Sequence, residues 1–374
     1  MDLGVDERGS GRVVSVVAEL PRLVVVVGSG GVGKTTLAGA LGLRSAAAGA
    51  DTLVMTFDPS LRLREALGVG EEARDTEIEI DAGKPGRVAV SLLDARLTFD
   101  RLIERYSSGA GVRDRILENR YYHHLAGGLA GILEYMAVER LFEVAAESRY
   151  DRVVLDTPPT RQAIDFLEAP ARIVEFLDSG AVGFATRAWF DSRGRFRPTS
   201  YLGGLGRRLD GYLDEVVGLD LLRDMVEFFQ AFEPLFEGFR ARASEVRRLL
   251  TSPETRFLLV SGAGEDRVPD TLFFARRLEE AGHHLGPIVV NRLHPSADSA
   301  GRGRAKQSVD PGRTDGRRLL IQLARREAAA LEHLESLLSE DQVLAALPLL
   351  PEAPTGLEGL DELGRLLEER LGVA

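Results

Sequence analysis

Residues 28–36 read GSGGVGKTT. Closely spaced glycines let main-chain N–H groups approach an anion with no Cβ in the way. The spacing G-x-x-x-x-G-K-T assigns Gly28, Gly33, Lys34 and Thr35 to a phosphate loop. In such a loop the amides of Gly28, Ser29, Gly30, Gly31, Val32 and Gly33, with those of Lys34, Thr35 and Thr36 at the helix start, cradle a polyphosphate. Lys34 then holds the β- and γ-phosphates, and the Thr35 hydroxyl ligates Mg²⁺. An ordinary glycine turn before a helix shares the glycines but has no need of the lysine and threonine.

This chemistry requires a strand before the loop and a helix after it. Residues 23–27, LVVVV, form a β-branched run suited to a parallel strand buried on both faces, and TLAGALGLRSAAAG at 36–49 reads as the helix. A second apolar run, within DTLVMTFDPS at 51–60, ends at Asp58. At a strand's carboxyl end that carboxylate can orient an attacking water or hold a metal-bound one; a turn aspartate before Pro59 is the plain alternative. A third run, within YDRVVLDTPPT at 150–160, ends at Asp156, where a carboxylate holds Mg²⁺ through water. Thr157, Pro158 and Pro159 make a stiff exit from that strand. Two further apolar runs lie in RFLLVSGAGEDRV at 256–268 and GPIVVNRLHP at 286–295, with a helix-like stretch between them. Asn291 closes the last, and its amide suits either a base edge or a turn. Strands alternating with helical stretches predict an α/β fold of the P-loop NTPase type, with a mostly parallel, doubly wound sheet and a helical insertion subdomain.

The bulk properties narrow the chemistry. The chain has 374 residues, a formal net charge of -11 and no cysteine. Disulfides and thiolate metal sites are thereby excluded, and an acidic surface disfavours direct nucleic-acid binding. No apolar run approaches the roughly 18–20 residues that span a bilayer. The expected location is cytoplasmic.

The ordered set of motifs resembles the arsenite-transporter (anion-transporting) ATPases and their tail-anchored-protein targeting relatives, in the deviant phosphate-loop branch. The resemblance runs from about residue 22 to 372. GSGGVGKTT looks like the family's phosphate loop, FDPS its first switch and DTPPTRQAIDFLEAP its second. VVNRLHP is similar to an adenine-contacting strand end, and PLLPEAPTGLEGL to a loop that closes over the nucleotide and contributes Pro351. The resemblance implies ATP and Mg²⁺ as ligands, Asp58 as the water-activating residue and Asn291 as an adenine contact. It also implies an ATP-hydrolysing homodimer that switches conformation, with a hydrophobic protein client or a membrane-protein partner as in protein targeting. Two departures stand out. Ser29 occupies the position of the family's signature lysine, and Arg161, Gln162 and Ala163 follow Thr160 where Gly-His-Thr is usual. Arg161 is the candidate stand-in cation, or else a solvated arginine at a helix start. Without cysteine, neither metalloid capture by thiolates nor a dimer-stapling zinc fits. An ATPase subunit of an anion or metalloid transporter and a partition or assembly switch are the alternative readings.

The predicted organisation is an N-terminal extension (1–21), a nucleotide-binding domain in parts (22–94, 150–170 with the second switch, and 251–374), and helical inserts at 95–149 and 171–250. The last part carries a basic loop and helix at 296–340, which reads as a solvated surface or a site for an acidic partner. The stretch 218–239 has Leu222, Met225, Val226, Phe229, Phe232, Phe236 and Phe239 at threes and fours. That stripe is either the insert's own core or a groove for a client helix. His123 and His124 are adjacent and read as no metal site, and Trp189 is either a packing residue or a groove edge.

Overall fold

The computed structural model describes residues 20–57, 62–107, 109–119, 132–178, 235–295, 311–339 and 342–372. The strands are β1 (Leu23–Gly28), β2 (Thr52–Thr56), β3 (Ile78–Ile80), β4 (Val88–Leu92), β5 (Arg152–Asp156), β6 (Thr255–Gly262), β7 (Leu285–Leu293) and β8 (Leu344–Pro348). The helices are α1 (Lys34–Ala47), α2 (Arg62–Leu67), α3 (Ala95–Tyr106), α4 (Ala110–Leu117), α5 (Ile132–Glu147), α6 (Thr160–Asp178), α7 (Phe236–Leu250), α8 (Val268–Glu280), α9 (Pro311–Leu337) and α10 (Gly356–Gly372).

The strands form one eight-stranded sheet in the order β3-β4-β2-β5-β1-β6-β7-β8. The β3–β4 pair is antiparallel and every other pair is parallel. This is the mostly parallel α/β fold of a P-loop NTPase with a helical insertion. Side chains alternate across each strand, so the valine run divides its residues between two cores. Leu23, Val25 and Val27 face one side with residues from α3 to α9. Val24 and Val26 face the other, against α1, α2 and α10. Burial on both faces is why these strands are continuously apolar.

The inserted helices extend the first of these layers: α3, α4 and α5 lie between β4 and β5 in the chain, and α6 and α7 between β5 and β6. Of the apolar stripe at 218–239, Leu235 and Phe239 are buried in that core and Phe236 packs against it. The rest of the stripe lies outside the described residues, as do His123, His124 and Trp189. No helix among the described residues is long and apolar enough to cross a membrane. In the basic region, Arg317, Arg318, Arg325 and Arg326 are exposed on α9, and residues 302–310 lie outside the description.

One buried histidine gives the fold a pH dependence. A ring nitrogen of His283 lies 3.0 Å from the Leu250 carbonyl, and the ring sits 4.8 Å from that of Phe257. Burial depresses its pKa below the ordinary 6.5, opposed in part by the Leu250 contact. The unfolded chain therefore takes up a proton near that value that the native chain resists. His283 contributes stability that is fully present above about pH 6.5 and is lost as pH falls through its lower folded value. A urea midpoint that declines between about pH 7 and pH 5, and declines less in His283→Gln, is expected; parallel pH curves for the two proteins contradict the assignment.

Candidate active site at the carboxyl edge of the sheet

β1 ends at Gly28, where the chain must turn against the neighbouring strand. A Cβ at Gly28, whose φ is 148°, would lie 2.0 Å from the Val260 carbonyl oxygen of β6. The loop then runs to Gly33, the residue before α1, with φ 98° in the left-handed region. Side-chain capping is absent there, and the first turn of α1 carries no acidic residue. The first-turn amides, which the helix itself does not pair, and the positive end of the helix dipole therefore face a site suited to an anion.

Lys34 and Thr35, the first residues of α1, are buried, and Thr36 is half-buried beside them. The Lys34 ammonium donates to the Ser29 carbonyl at 3.0 Å, so the side chain folds back along the loop. The Thr35 hydroxyl donates to Asp156 Oδ2 at 2.8 Å. Asp156 is fully buried at the end of β5, level with Val26 of β1 and Thr56 of β2. Thr56 donates a second hydroxyl bond to the same oxygen at 2.9 Å. The strand order brings Asp156 here: β5 inserts between β2 and β1. Two donated bonds hold the carboxylate in position beside the threonine.

The fit to Mg²⁺ rests on this donor set. A hydroxyl and a carboxylate are hard oxygen donors, and they already touch at the loop, where a phosphate would supply further oxygens. The residues present therefore suit the ion, with Thr35 able to ligate it directly and Asp156 through water.

Thr157, the next residue, donates to the Val26 carbonyl at 2.8 Å and pins the exit of β5 onto β1. Pro159 passes close to Gly30, and its carbonyl accepts from the amides of Gln162 and Ala163 at the start of α6. Thus the second candidate switch approaches the loop at one end and begins a long helix at the other. Arg161 falls in the first turn of α6, and its side chain lies outside the described residues, as does Asp58. The residue before Asp58 is placed: the Phe57 ring packs against that of Phe166 of α6, tilted by 55° with centroids 5.1 Å apart, and the Phe57 amide donates to the Asp156 carbonyl at 3.2 Å.

On the other side of the loop, Asn291 is buried at the end of β7. Its Nδ2 donates to the Val32 carbonyl at 2.8 Å, and its Oδ1 accepts from the Arg292 amide at 2.9 Å. Arg292 Nη1 donates to the Gly31 carbonyl at 2.8 Å. Pro351 is exposed just beyond β8, the strand next to β7. The structure thus gathers the loop, Asp156 and Asn291 at one edge. It also adds Thr56 and Arg292, which sequence reading passed over. Thr56 carries only the weak signal of a hydroxyl at a strand end; for Arg292 no periodicity or spacing marks the residue.

Residues 21–181 match the sequence model of the anion-transporting ATPase family. A protein of Aquifex aeolicus named "Putative arsenical pump-driving ATPase 1" is 23% identical over 355 residues, covering 92% of this chain and 78% of that protein. ATPase GET3B of Arabidopsis thaliana is 26% identical over 299 residues, covering 73% of this chain and 64% of that protein. Protein Rv2184c of Mycobacterium tuberculosis is 32% identical over 161 residues, covering 40% of this chain and 37% of that protein. The family match takes in β1, the phosphate loop, α1, Asp156 and α6, so the part of the chain that builds the loop and its carboxylate is the part similar to anion-transporting ATPases.

Proposed function

We propose that this chain binds ATP with Mg²⁺ at the carboxyl edge of the sheet, hydrolyses it to ADP and phosphate, and uses the change to move its helical layer. The observation that carries this reading is the hydrogen bond from Thr35 to Asp156. It joins the loop's hydroxyl to a fully buried carboxylate 121 residues away in the chain. A glycine turn with no ligand gives no reason for that pairing.

On this reading Lys34 and the loop amides bind the β- and γ-phosphates and stabilise charge on the transferring phosphoryl group. When bound, Mg²⁺ neutralises phosphate charge. Thr35 and Asp156 hold it, and Thr56 keeps Asp156 oriented. Asp58 positions the attacking water. Arg161 stands in for the cation that Ser29 does not supply, and Asn291 and Pro351 lie on the nucleoside side. The motion passes through α6, which follows the Asp156–Pro159 exit and packs on α5 and α7. The Phe57–Phe166 contact ties the strand leading to Asp58 to the same helix. The output is a homodimeric switch that binds and releases a protein client through the helical layer. Arsenical pumping, named for the Aquifex protein, sits poorly with this chain, because the full sequence holds no cysteine to bind the metalloid.

Calorimetry with ATP in the presence of Mg²⁺ and in EDTA tests the reading. Wild-type protein is expected to bind in both, and more tightly with Mg²⁺. In Asp156→Asn the gain from Mg²⁺ is expected to shrink by about 10-fold or more, the scale of one charged ligand interaction. Folded wild-type protein with no affinity for Mg²⁺ and ATP overturns it.

A further inference from the structure

We propose that Asn291 and Arg292 act together as a clamp that sets the peptide planes of the phosphate loop, so that β7 shapes the polyphosphate site through the loop. This rests on the proposed nucleotide-binding function and goes beyond it, because it assigns a role to Arg292 and a second role to Asn291.

The two side chains hold consecutive carbonyls of the loop. Arg292 Nη1 donates to Gly31 and Asn291 Nδ2 donates to Val32, each at 2.8 Å. In a trans peptide the C=O and the following N–H point in opposite directions. Holding the Gly31 carbonyl toward β7 turns the Val32 amide away from β7. Holding the Val32 carbonyl does the same for the Gly33 amide. Gly31 at φ 78° and Gly33 at φ 98° give the loop the left-handed turns from which an anion-binding nest is built. The clamp thereby pre-orients two N–H groups that in a free loop would be disordered before the phosphate arrived.

The backbone at Arg292 supports this role. Successive residues of a strand point to opposite faces, so two neighbours on β7 would not ordinarily reach the same loop. Arg292 departs from the strand conformation with φ 66°, which a non-glycine residue adopts at an energetic cost. Register with β8 also shifts between Val290 and Leu293. The bond from the Arg292 amide to Asn291 Oδ1 secures the departure. Asn291 packs so closely on the loop that a Cβ at Gly33 would fall 2.5 Å from its Nδ2. With its oxygen bonded to Arg292 and one of its two N–H groups to Val32, the Asn291 amide is held against the loop and keeps one N–H and one lone pair for a further partner.

Binding of Mg²⁺ complexes of ATP, GTP and inorganic triphosphate to wild type, Arg292→Ala, Arg292→Gly and Asn291→Ala separates the possibilities. The clamp predicts that each variant weakens all three ligands, inorganic triphosphate included, by about 10-fold, and that the two Arg292 variants leave the ATP-to-GTP ratio unchanged. Arg292→Gly is the control for strain, since glycine keeps the left-handed backbone at no cost and its melting temperature should match or exceed that of wild type. Wild-type affinity in Arg292→Gly overturns the clamp. So does an Asn291→Ala protein that loses ATP affinity but keeps triphosphate affinity, the signature of a base contact. Wild-type protein that binds none of the three overturns the nucleotide-binding function itself, a failure distinct from that of the clamp.

Discussion

Lys34→Ala is expected to lower Mg²⁺-dependent ATP hydrolysis by about 100- to 1000-fold, the scale on which removal of one pre-organised charge-stabilising donor acts. The ammonium lies at the start of α1, largely out of water, where its interaction with phosphate charge is less screened than at a surface. It already lies along the loop, on the Ser29 carbonyl at 3.0 Å. Phosphate binding then needs only an exchange of partner rather than the ordering of a free side chain. Lys34→Arg should fare little better, because a planar guanidinium does not fit where a compact ammonium reaches a carbonyl within the loop. The measurement is phosphate release under saturating ATP, with circular dichroism to establish that the fold is intact. Turnover equal to that of the parent would remove Lys34 from the site.

The largest effect on stability is expected far from the loop. Glu139 of α5 is almost wholly buried and receives two bonds: Arg242 Nε of α7 at 2.5 Å and the Tyr135 hydroxyl. The Arg242 guanidinium also lies 4.2 Å from the centre of the Tyr106 ring and 4.9 Å from that of Phe239. Burial pushes the Glu139 carboxyl above its ordinary pKa, with Arg242 opposing the shift. Burial, followed by the neighbouring Glu139 charge, pushes the Tyr135 hydroxyl well up. Arg242→Leu strands the carboxylate in the core and should cost about 3–5 kcal/mol, the range for breaking a buried pair from one side. Changing both partners, Glu139→Leu with Arg242→Leu, should restore most of that loss. The remainder reflects the acceptor that Tyr135 loses. Urea unfolding of the two single variants and the double variant measures this. Additive losses in the double variant would show that the two side chains do not act as a pair.

Much of the fold was legible because its strands must be apolar on both faces. The runs at 23–27, 153–155 and 286–290 are too short and too β-branched for surface helices, and glycine or polar residues stop each one. The loop was legible because its chemistry needs glycines and a lysine at fixed spacing within one short segment. The stripe at 218–239 was less legible. Helical periodicity says that a face is covered, not by what, and the described end of that stripe, Leu235 and Phe239, turns out to pack into the core beneath the sheet. That Asn291 also holds the loop was not legible, because its bonds to Val32 and from Arg292 follow from no spacing along the chain.

By itself the sequence determined the identity and spacing of the phosphate-gripping groups and the alternation of buried strands with helices, because both are local properties of the chain. Tertiary structure alone decided that β5 inserts beside β1 and so brings Asp156 to Thr35 and Thr56. It alone brought β7 against the loop, with Arg292 bent out of strand geometry to reach Gly31. Those meetings join residues 100 or more positions apart, or turn on a single backbone angle, and pattern along the chain carries no record of either.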